Sequence, residues 1–308
     1  ICNNEEGGEA VMSKSVELKK DDEFKKHRGQ IAQIWFRFRK NKMAFMGLII
    51  FSALVLIAVT APLYLSYGDD VIRQSIMERF QSPSAEHPFG TDQFGRDILN
   101  RVLWGARVSM SVGIGVVVVS LGGGAILGSI AGYFGGKLDN IIMRVCDMFL
   151  AIPGTLLAIA LVSAFGNSIP NLMLALGIST MPKMSRIVRS SVLTLKNQEF
   201  IEAARSCATS NARIIVRHIL PNAIGPIIVE GTLSVARSII SVASMSFIGL
   251  GIQPPNPEWG AMLSEAKEQM INYPYLVYAP GIAIILTVMS LTLIGDGLRD
   301  ALDPKMKN

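Results

Sequence analysis

The sequence predicts an all-α fold, a polytopic membrane protein with six transmembrane helices, from its composition, its uncharged runs and the placement of its basic residues. Of 308 residues, 50% are hydrophobic and 17% charged, with 28 Gly and a mean hydropathy of +0.40. That balance is too apolar for a soluble globular chain and speaks against a water-soluble enzyme. Several uncharged runs exceed the roughly 20 residues that a helix needs to cross a hydrocarbon core.

Residues 43–68 form the first such run, with the helix itself over 43–66, and residues 108–136 form the second. Residues 148–182 are uncharged over a length sufficient for two spans. Gly166-Asn167-Ser168-Ile169-Pro170 divides them, because Gly, Asn and Pro favour a turn. A fifth span runs from near Pro221 to about residues 246–250, and a sixth over about 278–297. The chain thus divides into a tail (1–42), the first helix, a loop (67–107), a five-helix core (108–298) that contains a long loop at 196–221, and a second tail (299–308).

Orientation follows from charge, since Lys- and Arg-rich segments are retained in the cytoplasm. With the N-terminus inside, the inner segments hold 22 Lys and Arg and the outer ones 6, five of these between Arg73 and Arg107. Both termini are therefore expected in the cytoplasm, and the net charge of +5 reflects sidedness. Nucleic acid is not an expected partner, because the basic residues lack aromatic interleaving or a binding motif.

Cys2, Cys146 and Cys207 form no CxxC pair, and His27, His87 and His218 are scattered, so no metal site, disulfide framework or cofactor is expected. Residues 1–42 carry charge throughout and lack the apolar core of a cleavable signal peptide. In the codons GAA-GGA-GGU-GAA, Glu6-Gly7-Gly8-Glu9 ahead of Met12 spells a bacterial ribosome-binding site, so residues 1–11 read as a translated leader. An ordinary Glu/Gly-rich tail is the other reading.

The loop at 196–221 is the informative one. Phe200, Ala203, Ala204 and Cys207 recur at i, i+3, i+4 and i+7, one apolar face of a short helix, while Glu199, Glu202, Arg205 and Ser206 face elsewhere. Ser210 is placed to cap a second helix over 212–219, which ends at Leu220-Pro221. Two helices joined by a bend make a rigid knob; a solvated or membrane-lying loop is the alternative.

The stretch Glu202-Ala203-Ala204-Arg205-Ser206-Cys207-Ala208, continuing to Ile219-Leu220-Pro221-Asn222, resembles the EAA loop of binding-protein-dependent ABC import permeases. Gly90-Thr91-Asp92-Gln93-Phe94-Gly95-Arg96-Asp97 and Gly105-Ala106-Arg107-Val108-Ser109 resemble motifs of the C-type subunits of dipeptide and oligopeptide permeases. So do Ser246-Phe247-Ile248-Gly249-Leu250-Gly251, Pro257-Glu258-Trp259-Gly260 and the run from Gly295 to Pro304. The resemblance covers about residues 35–305. It implies a permease subunit of the bacterial inner membrane, partnered by a B-type permease, two ATPase subunits and an extracytoplasmic substrate-binding protein.

It further implies that Glu202, Ala203, Ala204 and Arg205 form a cytoplasmic coupling helix that docks on an ATPase, with Ala208, Leu220 and Pro221 completing the loop. The family usually has Gly at the position of Ala208. An Ala there implies either a right-handed bend or a slightly strained one, at about 1 kcal/mol. The chain has no GxxxxGK[ST] phosphate loop, since Gly135-Gly136-Lys137-Leu138 lacks both spacing and hydroxyl, so energy is expected from the partners. Peptides are the cargo that the resemblance implies, with nickel chelates and glutathione carried on the same scaffold. A self-sufficient secondary transporter is the rival from another class, and Glu230 with Arg237 is its only hint. No carboxylate pair, HExxH or Ser/His constellation at a span suggests an enzyme.

Glu230 and Arg237 in the fifth span are site candidates, because polar groups are costly inside a membrane. Seven residues put both on one face about 10 Å apart, beyond direct contact unless the side chains reach along the helix. Lining the translocation path is one reading; pairing with a neighbouring subunit or snorkelling is the other. Gly124, Gly128 and Gly132 repeat every four residues on the second span, a pattern that lets two helix backbones approach. The outer loop at 251–280 reads either as a docking surface for the binding protein or, for Tyr273, Tyr275 and Tyr278, as an interfacial aromatic belt.

Overall fold

The computed structural model describes residues 30–302. The proposed leader (1–11), most of the first tail and the end of the second, with Cys2, His27 and Pro304, lie outside the described residues. Among the described residues the chain is helical, and its one isolated β-bridge joins Thr91 to Asp97.

Helix α1 (Gln30–Lys40) leads into α2 (Lys42–Tyr64), whose start is set by Asn41, with its side-chain oxygen accepting from the Ala44 N–H at 3.2 Å. Helix α3 (Ile98–Phe134) is 37 residues long and is capped by Asp97, which accepts from the Asn100 N–H at 2.9 Å. It ends where Gly135 and Gly136 both take positive φ, a conformation that side chains disfavour. Helices α4 (Gly136–Leu150) and α5 (Gly154–Phe165) meet at 88°, because Pro153 at the start of α5 cannot continue the hydrogen-bond ladder. Gly166 and the capping Ser168 turn the chain into α6 (Ile169–Leu195), in agreement with the expected break at 166–170.

Helix α7 (Glu199–Ser206) and an irregular helical stretch then lead into α8 (Ile224–Phe247). Helix α9 (Trp259–Ala266) and α10 (Tyr275–Leu302) complete the described residues. Among the described residues four helices, α2, α3, α8 and α10, are long and apolar enough to cross a membrane, and the bent pair α4–α5 raises that to five. The sequence reading differs at three places. The third expected span is reduced to α5, 12 residues or about 18 Å, too short by itself to cross. The fourth continues beyond Pro182 to Leu195, carrying Lys183, Arg186 and Arg189 within the helix. The second begins ten residues earlier than expected, at Ile98.

Helix α3 is the centre of the bundle, and its closest partner is α6. A Cβ on Gly124 would come within 2.7 Å of Met184 Cβ, one on Gly128 within 2.4 Å of the Ser185 carbonyl, and one on Gly132 within 2.9 Å of Val192 Cβ. All three glycines thus lie at the α6 contact, where backbone meets backbone. On either side of this seam Val112, Val116, Leu172, Leu176, Val242 and Met245 form a core shared by α3, α5, α6 and α8.

At the end of the bundle where α3 starts, residues 67–97 and 251–275 fold into a cap. Asp92 is its hub. Its Oδ1 accepts from the Phe94 and Arg96 N–H groups, and its Oδ2 receives Arg96 Nε at 2.6 Å. Arg96 and Arg101, both buried, donate to the same Glu265 oxygen at 2.6 and 3.2 Å, and Arg101 also reaches the Val71 carbonyl. Glu258 caps α9 by accepting from the Gly260 and Ala261 N–H groups, and Ser109 Oγ links that cap to α3. The Trp259 ring, 1% exposed, donates its Nε1–H to the Val102 carbonyl. Tyr273 stacks on Phe80 with ring centres 4.4 Å apart, and Tyr275 meets Tyr273 edge-on; only Tyr278 of the three is exposed. Two of the expected belt residues therefore pack within the cap.

Gly128→Ala forces its methyl against backbone and should cost about 1–3 kcal/mol. Gly122→Ala, with nothing within 4 Å, should leave stability equal or higher. Thermal midpoints of the purified protein in one detergent measure both. Glu265→Ala leaves two buried guanidinium groups short of a carboxylate, a loss of about 3–5 kcal/mol. Tryptic cleavage after Arg73 and Arg79 in intact membranes should rise; unchanged cleavage would mean that the network does not hold the cap closed.

Candidate functional site

Helix α7 sits at the opposite end of the bundle from the cap. Eight residues make a helix that is marginal by itself. Tertiary contacts hold it: Ile201, fully buried, packs with Ile214 and Ile219 against Val188 and Val192 of α6 and Tyr133 of α3. Tyr133 also donates its hydroxyl to Asn211 at 2.8 Å, and the Arg205 guanidinium lies 5.4 Å over the same ring.

The buried face is not the one that the i, i+3, i+4, i+7 pattern predicts. Ala204 is half buried, but Phe200, Ala203 and Cys207 are exposed, as are Glu202 and Arg205. Ile201 and, in part, Ala204 turn inward, so the buried side shares only Ala204 with the predicted face. Ile201 enters the aliphatic cluster with Ile214 and Ile219, and its burial there decides which side faces the bundle, leaving the larger Phe200 exposed. The outcome is a firmly seated helix that exposes Phe200, Glu202 and Ala203, while Arg205 folds back over the Tyr133 ring.

The bend after α7 is left-handed, with φ of +54° at Ala208. The Thr209 N–H donates to the Ala204 carbonyl at 3.2 Å and the Ala208 N–H to the Arg205 carbonyl at 2.9 Å. This is the Schellman pattern, in which Gly ordinarily takes the position that Ala208 occupies. Of the two geometries open to the sequence, the strained one is found. The second expected helix is less regular than the sequence suggests: Asn211–Arg213 and Leu220–Asn222 flank a π-helical turn at Ile214–Ile219. Ser210 has the extended backbone of an N-cap, but its hydroxyl makes no capping bond. Leu220 is half buried and Pro221 exposed where the chain turns towards α8.

Glu230 and Arg237 do meet, because the arginine reaches back along α8: Arg237 Nη2 donates to Glu230 Oε1 and, at 3.0 Å, to Ser234 Oγ. Lys183 Nζ on α6 lies 3.0 Å from the same glutamate oxygen. Sequence reasoning missed Lys183, which the expected end of the fourth span at Pro182 left in a basic loop. Glu230 also lines a cavity of about 670 Å³ with Ile187, Val229, Leu233 and Arg299. Two further ion pairs, Arg186–Asp147 and Arg189–Asp139, tie α6 to α4.

Long apolar helices, a polar cap folded over one end and a seated helix with an unpartnered face at the other define an integral membrane protein built to engage further chains. Residues 124–308 match the family of binding-protein-dependent transport system inner membrane components, and residues 29–83 match the N-terminal TM domain of oligopeptide transport permease C. The chain belongs to the former family and is a permease component of such a system. It is 48% identical over 272 residues to the dipeptide transport system permease protein DppC of Alkalihalophilus pseudofirmus, covering 88% of this chain and 89% of that protein. It is 45% identical over 276 residues to the glutathione transport system permease protein GsiD of Escherichia coli O6:K15:H31 and of Shigella boydii serotype 4, covering 89% of this chain and 90% of each relative.

Ala208→Gly should relieve the left-handed bend and stabilise the loop by about 1 kcal/mol. Hydrogen–deuterium exchange over residues 199–210 measures this; slower exchange in the glycine variant is the expected result.

Proposed function

We propose that the chain is one of two permease subunits in a bacterial ABC importer of peptides, with both termini and α7 on the cytoplasmic side and the cap outside. The spans are α2, α3, the bent pair α4–α5 taken as one, α6, α8 and α10, making six crossings. A B-type permease completes the translocation path, two ATPase subunits power it, and a substrate-binding protein delivers cargo at the capped end. Glu230 and Arg237 line the path.

The observation that carries this reading is the seating of α7. Its outward face carries exposed Glu202 and Ala203, and the small alanine permits close approach by another chain. Its inward face is locked through Ile201, Ile214 and Ile219 onto the end of α6. A push on α7 from a closing ATPase is therefore delivered to α6. The glycine seam couples α6 to α3, so the two helices move as one body. ATP supplies the work at the partner subunits; this chain converts it into a helix displacement that opens the path outward.

The two sets of relatives favour two peptide cargoes. The dipeptide permease supports short peptides with ordinary backbones, and the glutathione permease supports a tripeptide with a γ-linked glutamate. Competition of each against uptake of a labelled dipeptide, at saturating binding protein, separates them.

Ala203→Trp places bulk on the exposed face without touching the buried one. Purified in mild detergent from the native host, the unaltered chain should bring down a second six-span permease and ATPase subunits. The tryptophan variant should retain the permease and lose the ATPases. Retention of the ATPases would overturn the coupling role of α7.

A further inference from the structure

Lys183, Glu230 and Arg237 form a cluster with more positive charge than its carboxylate neutralises. Both cations converge on a single oxygen of Glu230. The neighbouring cations of α6 are matched separately, Arg186 by Asp147 and Arg189 by both oxygens of Asp139 at 2.5 Å. The excess charge is therefore local to this cluster.

Its depth matters. Arg237 lies about 20 Å along α8, a helix long and apolar enough to cross a membrane, and Lys183, towards the α7 end of α6, reaches the same glutamate. The side chains of Lys183 and Arg237 are nevertheless 55% and 50% exposed, whereas that of Glu230 is 18% exposed. A cation at that depth is strongly disfavoured against lipid, so this face meets water or another subunit. A cavity of about 670 Å³, in the size range of small-molecule sites, opens beside the cluster, with Glu230 its one member in the wall and Arg299 a further cation there.

We propose that Lys183 and Arg237 form a carboxylate-recognition site for the translocated solute, with Glu230 as its built-in competitor. This rests on the reading that Glu230 and Arg237 line the path. The planar guanidinium presents a fork that matches a carboxylate, and the ammonium adds a point charge beside it. A carboxylate arriving from the solute displaces Glu230 Oε1 as their partner, and Glu230 recaptures both cations as the solute leaves. Attraction is thus matched by an internal ligand at contact distance, which gives a site that selects an anionic group without retaining it. No bond is made or broken.

A thiol reporter at Ser234, whose oxygen already touches Arg237, tests this in the assembled transporter in membranes. Ser234→Cys is combined with replacement of Cys2, Cys146 and Cys207 by serine, and modification is followed by the mass of this chain. The probes are an anionic methanethiosulfonate bearing a sulfonate and a cationic one bearing a trimethylammonium group, each normalised to its rate with free cysteine. The anionic reagent should react about tenfold faster, because a charged cleft concentrates counter-ions. Lys183→Gln or Arg237→Gln should bring the ratio towards one, and Glu230→Gln should raise it. A dipeptide with a free carboxylate should slow labelling more than its C-terminal amide. Val229→Cys, on the cavity wall, serves as a second reporter if the first does not assemble. Labelling by both reagents at equal normalised rates would overturn the carboxylate site and leave the path reading intact. Labelling by neither reagent at either position would overturn the path reading and the proposal with it.

Discussion

The missing side chains at Gly124, Gly128 and Gly132 set how close α3 and α6 lie, and most of the molecule is arranged about that contact. With the backbones together, Tyr133 at the end of α3 and Val188 and Val192 of α6 form one seat for Ile201, Ile214 and Ile219. Arg186 and Arg189, on the same helix, reach outward to the carboxylates of α4. Lys183, one turn earlier, turns towards α8. Helix α6 thus distributes three cations to two different neighbours, and its register against α3 determines where each one lands.

The two ends of the bundle are held by different physics. The cap depends on a buried ionic network of Asp92, Arg96, Arg101 and Glu265, with a glutamate used as a helix cap beneath Trp259. Such networks give geometric uniqueness more than net stability, since desolvation offsets much of the attraction. The α7 end depends on aliphatic burial, which is non-directional and tolerates small displacements. Directional ionic contacts thus hold one end of the bundle and non-directional apolar packing the other.

Much of this was legible in the residues. Uncharged runs marked α2, α3 and α10 because burying charge in hydrocarbon is costly, and the four-residue glycine period marked the α3 contact because only helices bring such positions together. The failures have equally specific causes. Lys183 was misplaced because charge was taken to end a span, whereas a helix inside a bundle carries charge wherever a partner such as Glu230 stands opposite. The buried side of α7 was missed because eight residues hold too few turns for periodicity to outweigh the burial of Ile201 with Ile214 and Ile219. The cap was invisible because its order comes from ion pairs between residues more than 160 positions apart, such as Arg96 and Glu265. Ala208 was left with two geometries, and only the backbone decided between them.

Helix α3 carries a consequence of its length. Thirty-seven residues make a rod of about 55 Å, against a hydrocarbon core of about 30 Å. Close to half of it therefore stands clear of the acyl chains. Arg101 is bound into the cap near its first turn, and Tyr133 is bound to the α7 seat at its last. One unbroken ladder of backbone hydrogen bonds joins the two, so neither end can tilt without the other swinging the opposite way. The helices packed along it, α6 above all, hold the rod between those ends, and the length by which it exceeds the hydrocarbon core sets how far each end reaches beyond it.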